Sequence, residues 1–392
     1  MTRTAPALQG IPTASELIDT ARTLAPLIAA HAEENARNRS IAPEVIEALR
    51  RAGLFRILQP RRWGGYELPP SVFLDVQFEI ARADMSTGWV YGVLGVHNFQ
   101  MGLFDDRTAQ DVWGENDNVQ IASTFQPGGI ATPTAGGYHF SGQWMFASGC
   151  DHADWIFLGG RLGDEFLTCL LPREQYEIID TWHVSGLHGT GSKDILVKDV
   201  VIPEYRVHRS SDGFRCDSPG NKVNTGWLYR LPFHQVFIRA ITGASTGALQ
   251  AMVDAFLDYA SRRVSVVAGA TIKDPDALLA LGEAIATIDQ INCIMRRNFT
   301  VLEGYAKQGM TPPFEERLLY KYHAASVTRL CLDAAQTLFE HCGGTGLFSD
   351  QPFGRILNDL AAAKQHAAAQ NHLSARSLGG SALGQEVNEW YL

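Results

Sequence analysis

The sequence has no Cys-x-x-Cys pair, because its six cysteines, Cys150, Cys169, Cys216, Cys293, Cys331 and Cys342, are scattered. Neither a zinc site nor a disulfide framework is suggested, and small buried packing is their expected role. Also lacking are a phosphate-binding P-loop, a strand-borne Gly-x-Gly-x-x-Gly followed by an acidic residue, and a His-Glu-x-x-His helix. A nucleotide kinase, a nicotinamide-binding enzyme and a zinc hydrolase therefore find no support, and no metal is expected. Basic residues form no block or stripe and the formal net charge is −9, which argues against nucleic acid and anionic membranes as partners. No uninterrupted apolar run reaches the roughly 18 residues of a membrane span. The opening Met1-Thr2-Arg3-Thr4-Ala5-Pro6 lacks a charged start followed by an apolar signal core, so a cytoplasmic location is expected.

What is present is a chain of 392 residues, 45% hydrophobic and 19% charged, long enough for two or three packed units. Periodicity divides it into three. In residues 1–118, segments 14–36 and 42–52 space apolar residues three and four apart, and Gly53 stands where a helix C-cap would. After the turn Gln59-Pro60-Arg61-Arg62-Trp63-Gly64-Gly65 a further helix begins near Pro70, and Ser86-Thr87-Gly88-Trp89 leads into an unusually apolar helix over 89–104 that must be mostly buried. In residues 119–210 the pattern changes to short apolar runs, 119–123, 137–144, 155–159, 166–171 and 195–201, which predict an all-β unit. Residues 211–392 begin irregularly and then carry long helical patterns over 235–265, 275–308, 313–341 and 354–373, as in an antiparallel four-helix bundle.

The most distinctive stretch is Gln143-Trp144-Met145-Phe146-Ala147-Ser148-Gly149-Cys150-Asp151-His152-Ala153-Asp154-Trp155, which sets polar groups inside an aromatic segment. A flat ring system has a place to dock there, although aromatic residues in strands also serve as core packing.

Helices, then a β unit, then a helical bundle is the order of the acyl-CoA dehydrogenase fold. The segments Thr87-Gly88-Trp89, Gly95-Val96-His97-Asn98, Ala147-Ser148-Gly149-Cys150-Asp151-His152-Ala153, Gly186-Leu187-His188-Gly189-Thr190-Gly191-Ser192 and Val197-Lys198-Asp199-Val200-Val201-Ile202-Pro203 agree with it. They closely resemble the oxygenase components of two-component flavin-dependent aromatic monooxygenases, over nearly the whole chain. The resemblance implies a mainly α protein with a central β-barrel or sandwich and a C-terminal four-helix bundle. It further implies reduced flavin (FMNH₂ or FADH₂) delivered by a separate NAD(P)H:flavin reductase, O₂ addition to give a C4a-hydroperoxyflavin, a small aromatic substrate and a homotetramer. Within that group phenol ortho-hydroxylation stands against oxygenation of an indole or a heteroatom, and the retained pair of imidazoles favours the phenol.

Several residues receive roles by this resemblance. Ser148 matches the serine beside flavin N5, the alternative being a strand-end serine bonded to backbone. His97 matches the imidazole that meets the substrate hydroxyl, where a pKa near neutrality would let it accept the phenol proton; a satisfied core histidine is the alternative. Ser123 matches a position bonding the same oxygen, and His366 matches a second catalytic histidine unless it is simply solvent-exposed. Trp144, Phe146 and Ala147 are expected to line the ring plane. Gly343, Gly344 and Gly346 resemble the glycine turn that approaches flavin, and Arg239 is a candidate ligand of its phosphate. His152 and His188 are left outside the catalytic set.

The rival within the fold is an acyl-CoA dehydrogenase, whose base is commonly a Glu near the C-terminus. The corresponding segment, Asn358-Asp359-Leu360-Ala361-Ala362-Ala363-Lys364-Gln365-His366, has no carboxylate at the matching position. Some dehydrogenases carry the base on another helix, so that reading is weakened without being removed.

Overall fold

Thr13 starts the first helix with a reciprocal cap. Its hydroxyl accepts the Glu16 N–H at 3.2 Å, and the Glu16 carboxylate accepts the Thr13 N–H at 2.7 Å. The computed structural model describes residues 10–265, 269–387, 389 and 392. The opening Met1 to Pro6, on which the absence of a signal segment was read, lies outside the described residues.

The N-terminal third comprises α1 (Ala14–Asn38), α2 (Pro43–Arg51), α3 (Pro70–Ala83), α4 (Met85–Met101) and α5 (Asp106–Trp113). The apolar helix expected over 89–104 is α4, begun one turn earlier because Asp84 caps it, its carboxylate accepting from Thr87 N at 2.9 Å.

The β unit, expected as a barrel or sandwich, is one mixed sheet. Its strands are β1 (Ile121–Thr134), β2 (Gly137–Ala147), β3 (Trp155–Leu162), β4 (Glu165–Pro172), β5 (Glu177–Ile179), β6 (Lys193–Pro203) and β7 (Val207–Arg209). They lie in the order β5-β6-β2-β1-β3-β4-β7, with β1 and β3 parallel and all other neighbours antiparallel. The strands β5 and β7, three residues each, are too short for an alternation to reveal. Phe140 and Trp144 point from β2 into the core, and the Trp144 indole N–H donates to the Gly159 carbonyl at 2.7 Å.

A short helix α6 (Ser210–Arg215) precedes α7 (Phe233–Thr242) and α8 (Ala244–Arg262), which divide the predicted 235–265 helix at Gly243. The two-residue strands β8 (Val264–Ser265) and β9 (Gly269–Ala270) lead to the long helices α9 (Pro275–Lys307) and α10 (Phe314–Glu340). The fourth long helix is not continuous. It is α11 (Phe353–Ala363) and α12 (Asn371–Ala382), separated by a tight turn at 367–369. Four cysteines are buried as expected, but Cys216 is half-buried and Cys293 exposed.

Because Trp144 fills the sheet core without solvent contact, Trp144→Ala should cost about 3–5 kcal/mol. Chemical denaturation followed by fluorescence measures this, and a loss below 1 kcal/mol would remove the residue from the core.

Candidate active site

All residues of α4 are buried, so this helix is a plank that every layer touches. Gly92 permits a close approach of α7: a Cβ there would stand 2.5 Å from the Ala240 carbonyl oxygen. Trp89, Val93 and His97 follow at four-residue intervals and share one face. From Trp89 to His97 that face spans about 12 Å at 1.5 Å per residue.

At one end His97 is fully buried, with Nδ1 2.9 Å from Gln100 Oε1 and Nε2 2.8 Å from Ser123 Oγ. An amide oxygen only accepts, so Nδ1 carries the proton and Nε2 accepts from the Ser123 hydroxyl. Phe125, Phe157 and Phe237 surround the ring at centroid distances of 5.9, 5.4 and 6.1 Å. Burial in this aromatic box pushes the imidazole pKa down to about 3, which the Gln100 bond only partly opposes. The expectation of a pKa near neutrality is therefore corrected: His97 is a neutral acceptor.

At the other end, β2 bulges against β6 between Trp144 and Ala147, and Phe146 takes a left-handed φ of 68°. The extra residue re-aims the strand, turning Ser148 towards α4. The Trp89 indole N–H donates to Ser148 Oγ at 3.1 Å. Ser148 Oγ lies 2.7 Å from Ser192 Oγ, which lies 2.7 Å from Thr190 Oγ1, and Thr190 donates to the Leu187 carbonyl at 2.8 Å. The hydroxyl partner of Ser148 is thus a side chain.

His366 joins this end, its ring centroid 5.5 Å from Trp89 and edge-on to it. It lies beyond α11 in the turn that breaks the predicted helix, where Nδ1 accepts from Ala368 N at 3.0 Å and Nε2 holds the proton. Half-buried rather than solvent-exposed, it is desolvated enough to bring its pKa down to about 4. The loop behind Thr190 is anchored by Asp359, whose Oδ1 accepts the Leu187 N–H at 2.5 Å.

Two expected cofactor contacts are corrected. Trp144 is fully buried in the sheet with its N–H bonded to Gly159, so it has no face for a ligand. Arg239 lies in the last turn of α7, not at a helix start, and is 1% exposed. Its guanidinium donates to the carbonyls of Gln235 and Tyr320 at 2.5 and 3.2 Å and lies over Phe299, so it is held inside the bundle, where burial lowers its pKa to about 9. Phe146 is 51% exposed and edge-on to Trp182, whereas Ala147 is fully buried. The turn of Gly343, Gly344 and Gly346 sits apart from the α4 cluster, against Tyr259, Arg263 and Phe353. Gly343 has φ 60° and ψ −166°, and a Cβ there would collide with Arg263 Nη2. Arg263 Nη1 donates to the His341 carbonyl at 3.1 Å, so this arginine, not Arg239, stands beside the glycines.

Sequence reasoning missed Gln100, Ser192, Thr190 and Arg263 as participants. Gln100 had a local signal, three residues from His97 on one helix face. The Ser148–Ser192 pair joins residues 44 apart, and only the β2–β6 register reveals it.

This architecture, with a polar cluster strung along a buried central helix, defines a protein of the acyl-CoA dehydrogenase fold. Residues 12–102 match the family described as "Acyl-CoA dehydrogenase, N-terminal domain", and residues 240–371 match "Acyl-CoA dehydrogenase, C-terminal domain". Within that fold the chain belongs to the flavin-dependent monooxygenases, as an oxygenase component. It is 35% identical over 352 residues, 88% of this chain and 92% of the relative, to the flavin-dependent monooxygenase oxygenase subunit HsaA of Rhodococcus jostii (strain RHA1). It is 30% identical over 386 residues, 94% of both chains, to the oxygenase component of the FADH(2)-dependent resorcinol hydroxylase of Rhizobium sp. (strain MTP-10005). The crystal structure of 3-HSA hydroxylase from Rhodococcus sp. RHA1 superposes with a TM-score of 0.92 at 32% identity, covering 96% of this chain and 99% of that one. The protein is thus an oxidoreductase, a flavin-dependent monooxygenase oxygenase component that uses reduced flavin and O₂.

Burial raises the Asp359 carboxyl to about 7; the Leu187 N–H opposes this, Asp84 adds to it and Arg355 opposes it. Between pH 4 and 7 the folded protein thus holds a proton that the unfolded chain releases, so this group's contribution to stability falls as pH rises through that window. Asp359→Asn, which keeps the acceptor for Leu187, should lessen the fall by at most roughly 4 kcal/mol, at about 1.4 kcal/mol per pKa unit. Thermal midpoints at pH 5 and pH 8 measure it, and parallel shifts in wild type and variant would refute it.

Proposed function

We propose that this protein ortho-hydroxylates a phenol whose remaining bulk is apolar and uncharged. The observation that carries the reading is the His97–Ser123 pair, a neutral acceptor and a hydroxyl 2.8 Å apart at one end of an aromatic box. Reduced flavin, when bound, supplies the electrons that activate O₂. The residues present fit such a ring: Trp89, Ser148, the exposed Phe146 and His366 form the end of α4 assigned to it, and Ala147 backs them. The turn of Gly343, Gly344 and Gly346 with Arg263 is assigned to flavin phosphate, in place of Arg239.

In this reading His97 Nε2 accepts the phenolic O–H and Ser123 turns its own hydroxyl to the phenol oxygen. Withdrawal of the proton towards Nε2 raises electron density at the ortho carbon. A buried imidazole with a pKa near 3 resists becoming a free cation, so the phenol is polarised without being ionised in the resting complex. His366 offers its Nε2–H as a second polar contact. Phe125 and Phe237, only half-buried, are the rings that move to admit substrate.

The same reading keeps the protein cytoplasmic, free of nucleic acid and membrane, and assembles it as a homotetramer, with domain limits at 118 and 210. Two helical stretches, Phe233–Arg262 and Pro275–Lys307, have the length and mean hydropathy to cross a bilayer. The first is 78% buried within the chain over its most apolar window, the second 28%. Exposed Leu278, Leu279 and Ile285 of α9 are apolar surface that subunit packing would cover.

His97→Ala should leave flavin affinity within about twofold while lowering hydroxylation by roughly 10²-fold or more and diverting O₂ to H₂O₂. Product and peroxide are quantified together over a panel of phenols, and unchanged coupling would remove the role of His97. No inflection from His97 is expected in the wild-type pH profile between 5 and 9. Leu279→Glu should shift the mass seen by light scattering from tetramer to smaller species, and a retained tetramer would clear α9 of the interface.

A further inference from the structure

The four hydroxyl and carbonyl groups running from Ser148 to Leu187 have only one consistent order of protons. The Leu187 carbonyl accepts from Thr190 N at 3.2 Å and from the Trp182 indole at 3.1 Å, and it has no hydrogen to give. Thr190 Oγ1, 2.8 Å away, must therefore point its hydrogen at that carbonyl, since two lone pairs at that distance repel. Thr190 then accepts from Ser192, and Ser192 accepts from Ser148. Ser148 also receives the Trp89 N–H. Its hydrogen is committed, and what it has left is a single lone pair. Ser148, Thr190 and Ser192 are 7%, 1% and 4% exposed, so water does not readily substitute for these partners.

We infer that Thr190 and Ser192 are positioning residues that make Ser148 an obligate hydrogen-bond acceptor, and that this polarity makes the site select reduced over oxidised flavin. The inference rests on the assignment of the Ser148 end of α4 to the flavin. Reduced flavin carries N5–H, a donor that Ser148 can accept. Oxidised flavin has an unprotonated N5, itself an acceptor, which faces a lone pair. An oxygenase component that receives reduced flavin from a reductase and must later release the oxidised form gains from that difference. Asp359 and the left-handed Leu187 (φ 54°) hold the carbonyl that sets the order.

The experiment is anaerobic titration of the full-length protein with FMN and with FAD in each oxidation state, giving the ratio of oxidised to reduced dissociation constants. Thr190→Val is the decisive variant, because the Thr190 hydroxyl bonds Ser192 and the Leu187 carbonyl and reaches Ser148 only through Ser192. Without its acceptor, Ser192 can donate to Ser148, whose own hydrogen is released towards the ring. The ratio should fall roughly three- to tenfold, chiefly by tighter binding of oxidised flavin. Ser192→Ala should act in the same direction, whereas Ser192→Thr and Thr190→Ser, which keep the hydroxyls, should restore the wild-type ratio. Circular dichroism confirms that each variant is folded. If Ser148→Ala alters flavin affinity but Thr190→Val and Ser192→Ala leave the ratio unchanged, the proton-ordering role is overturned while the flavin end of the site stands. If Ser148→Ala leaves all affinities unchanged, the flavin assignment itself falls, and this inference with it.

Discussion

The rest of the structure depends on the complete burial of α4. A helix with no solvent face can satisfy the polar side chains it carries only inside the protein, and bonds so made tie distant segments to it. His97 engages Ser123 of β1, Trp89 engages Ser148 just after β2, Asn98 donates to the Phe55 carbonyl, and Gly92 admits α7. The N-terminal helices, the sheet and the bundle therefore meet along one line. The candidate chemistry lies on that line, where Ser123 and Ser148 from the sheet region and His366 from the C-terminal part meet His97 and Trp89 of α4.

The same burial sets the character of those groups. Desolvation leaves His97 and His366 neutral, and their fixed neighbours choose the tautomers: Gln100 holds a proton on Nδ1 of the first, and the Ala368 N–H leaves it on Nε2 of the second. Towards the site one imidazole is an acceptor and the other a donor, though both are the same residue and both are neutral. A hydroxyl chain is ordered in the same way by a carbonyl at its far end. Polarity at this site is thus decided by partners one step removed from where a ligand would lie.

Much was legible in the chain itself. The helical, β and helical thirds follow from period, since α1, α9 and α10 are long enough for a 3.6-residue repeat to be unmistakable. His97 and Ser148 stand in the quoted motifs, whereas Ser123 and His366 carry weaker local signals and are brought against His97 and Trp89 only by the fold. The misreadings share a cause. Trp144 and Arg239 are residue types suited to flavin, and nothing in a linear pattern says which face of a strand or helix is covered; both turned out to be interior. The helix expected over 354–373 ends at Ala363 without a proline or glycine to announce it, and His366 then caps a new turn with its own Nδ1.

What the sequence by itself determined is the class of the protein: local hydrophobic period and the quoted motifs are short-range properties, and they carry fold and family together. What only the tertiary structure decided is the wiring. Ser148 meets Ser192 across the β2–β6 register, Leu187 meets Asp359 across 172 residues, and Arg263 rather than Arg239 meets the glycine turn. Burial and hydrogen-bond direction depend on which surfaces are brought together in space, so protonation state, tautomer and the facing of each side chain are not properties of any one segment.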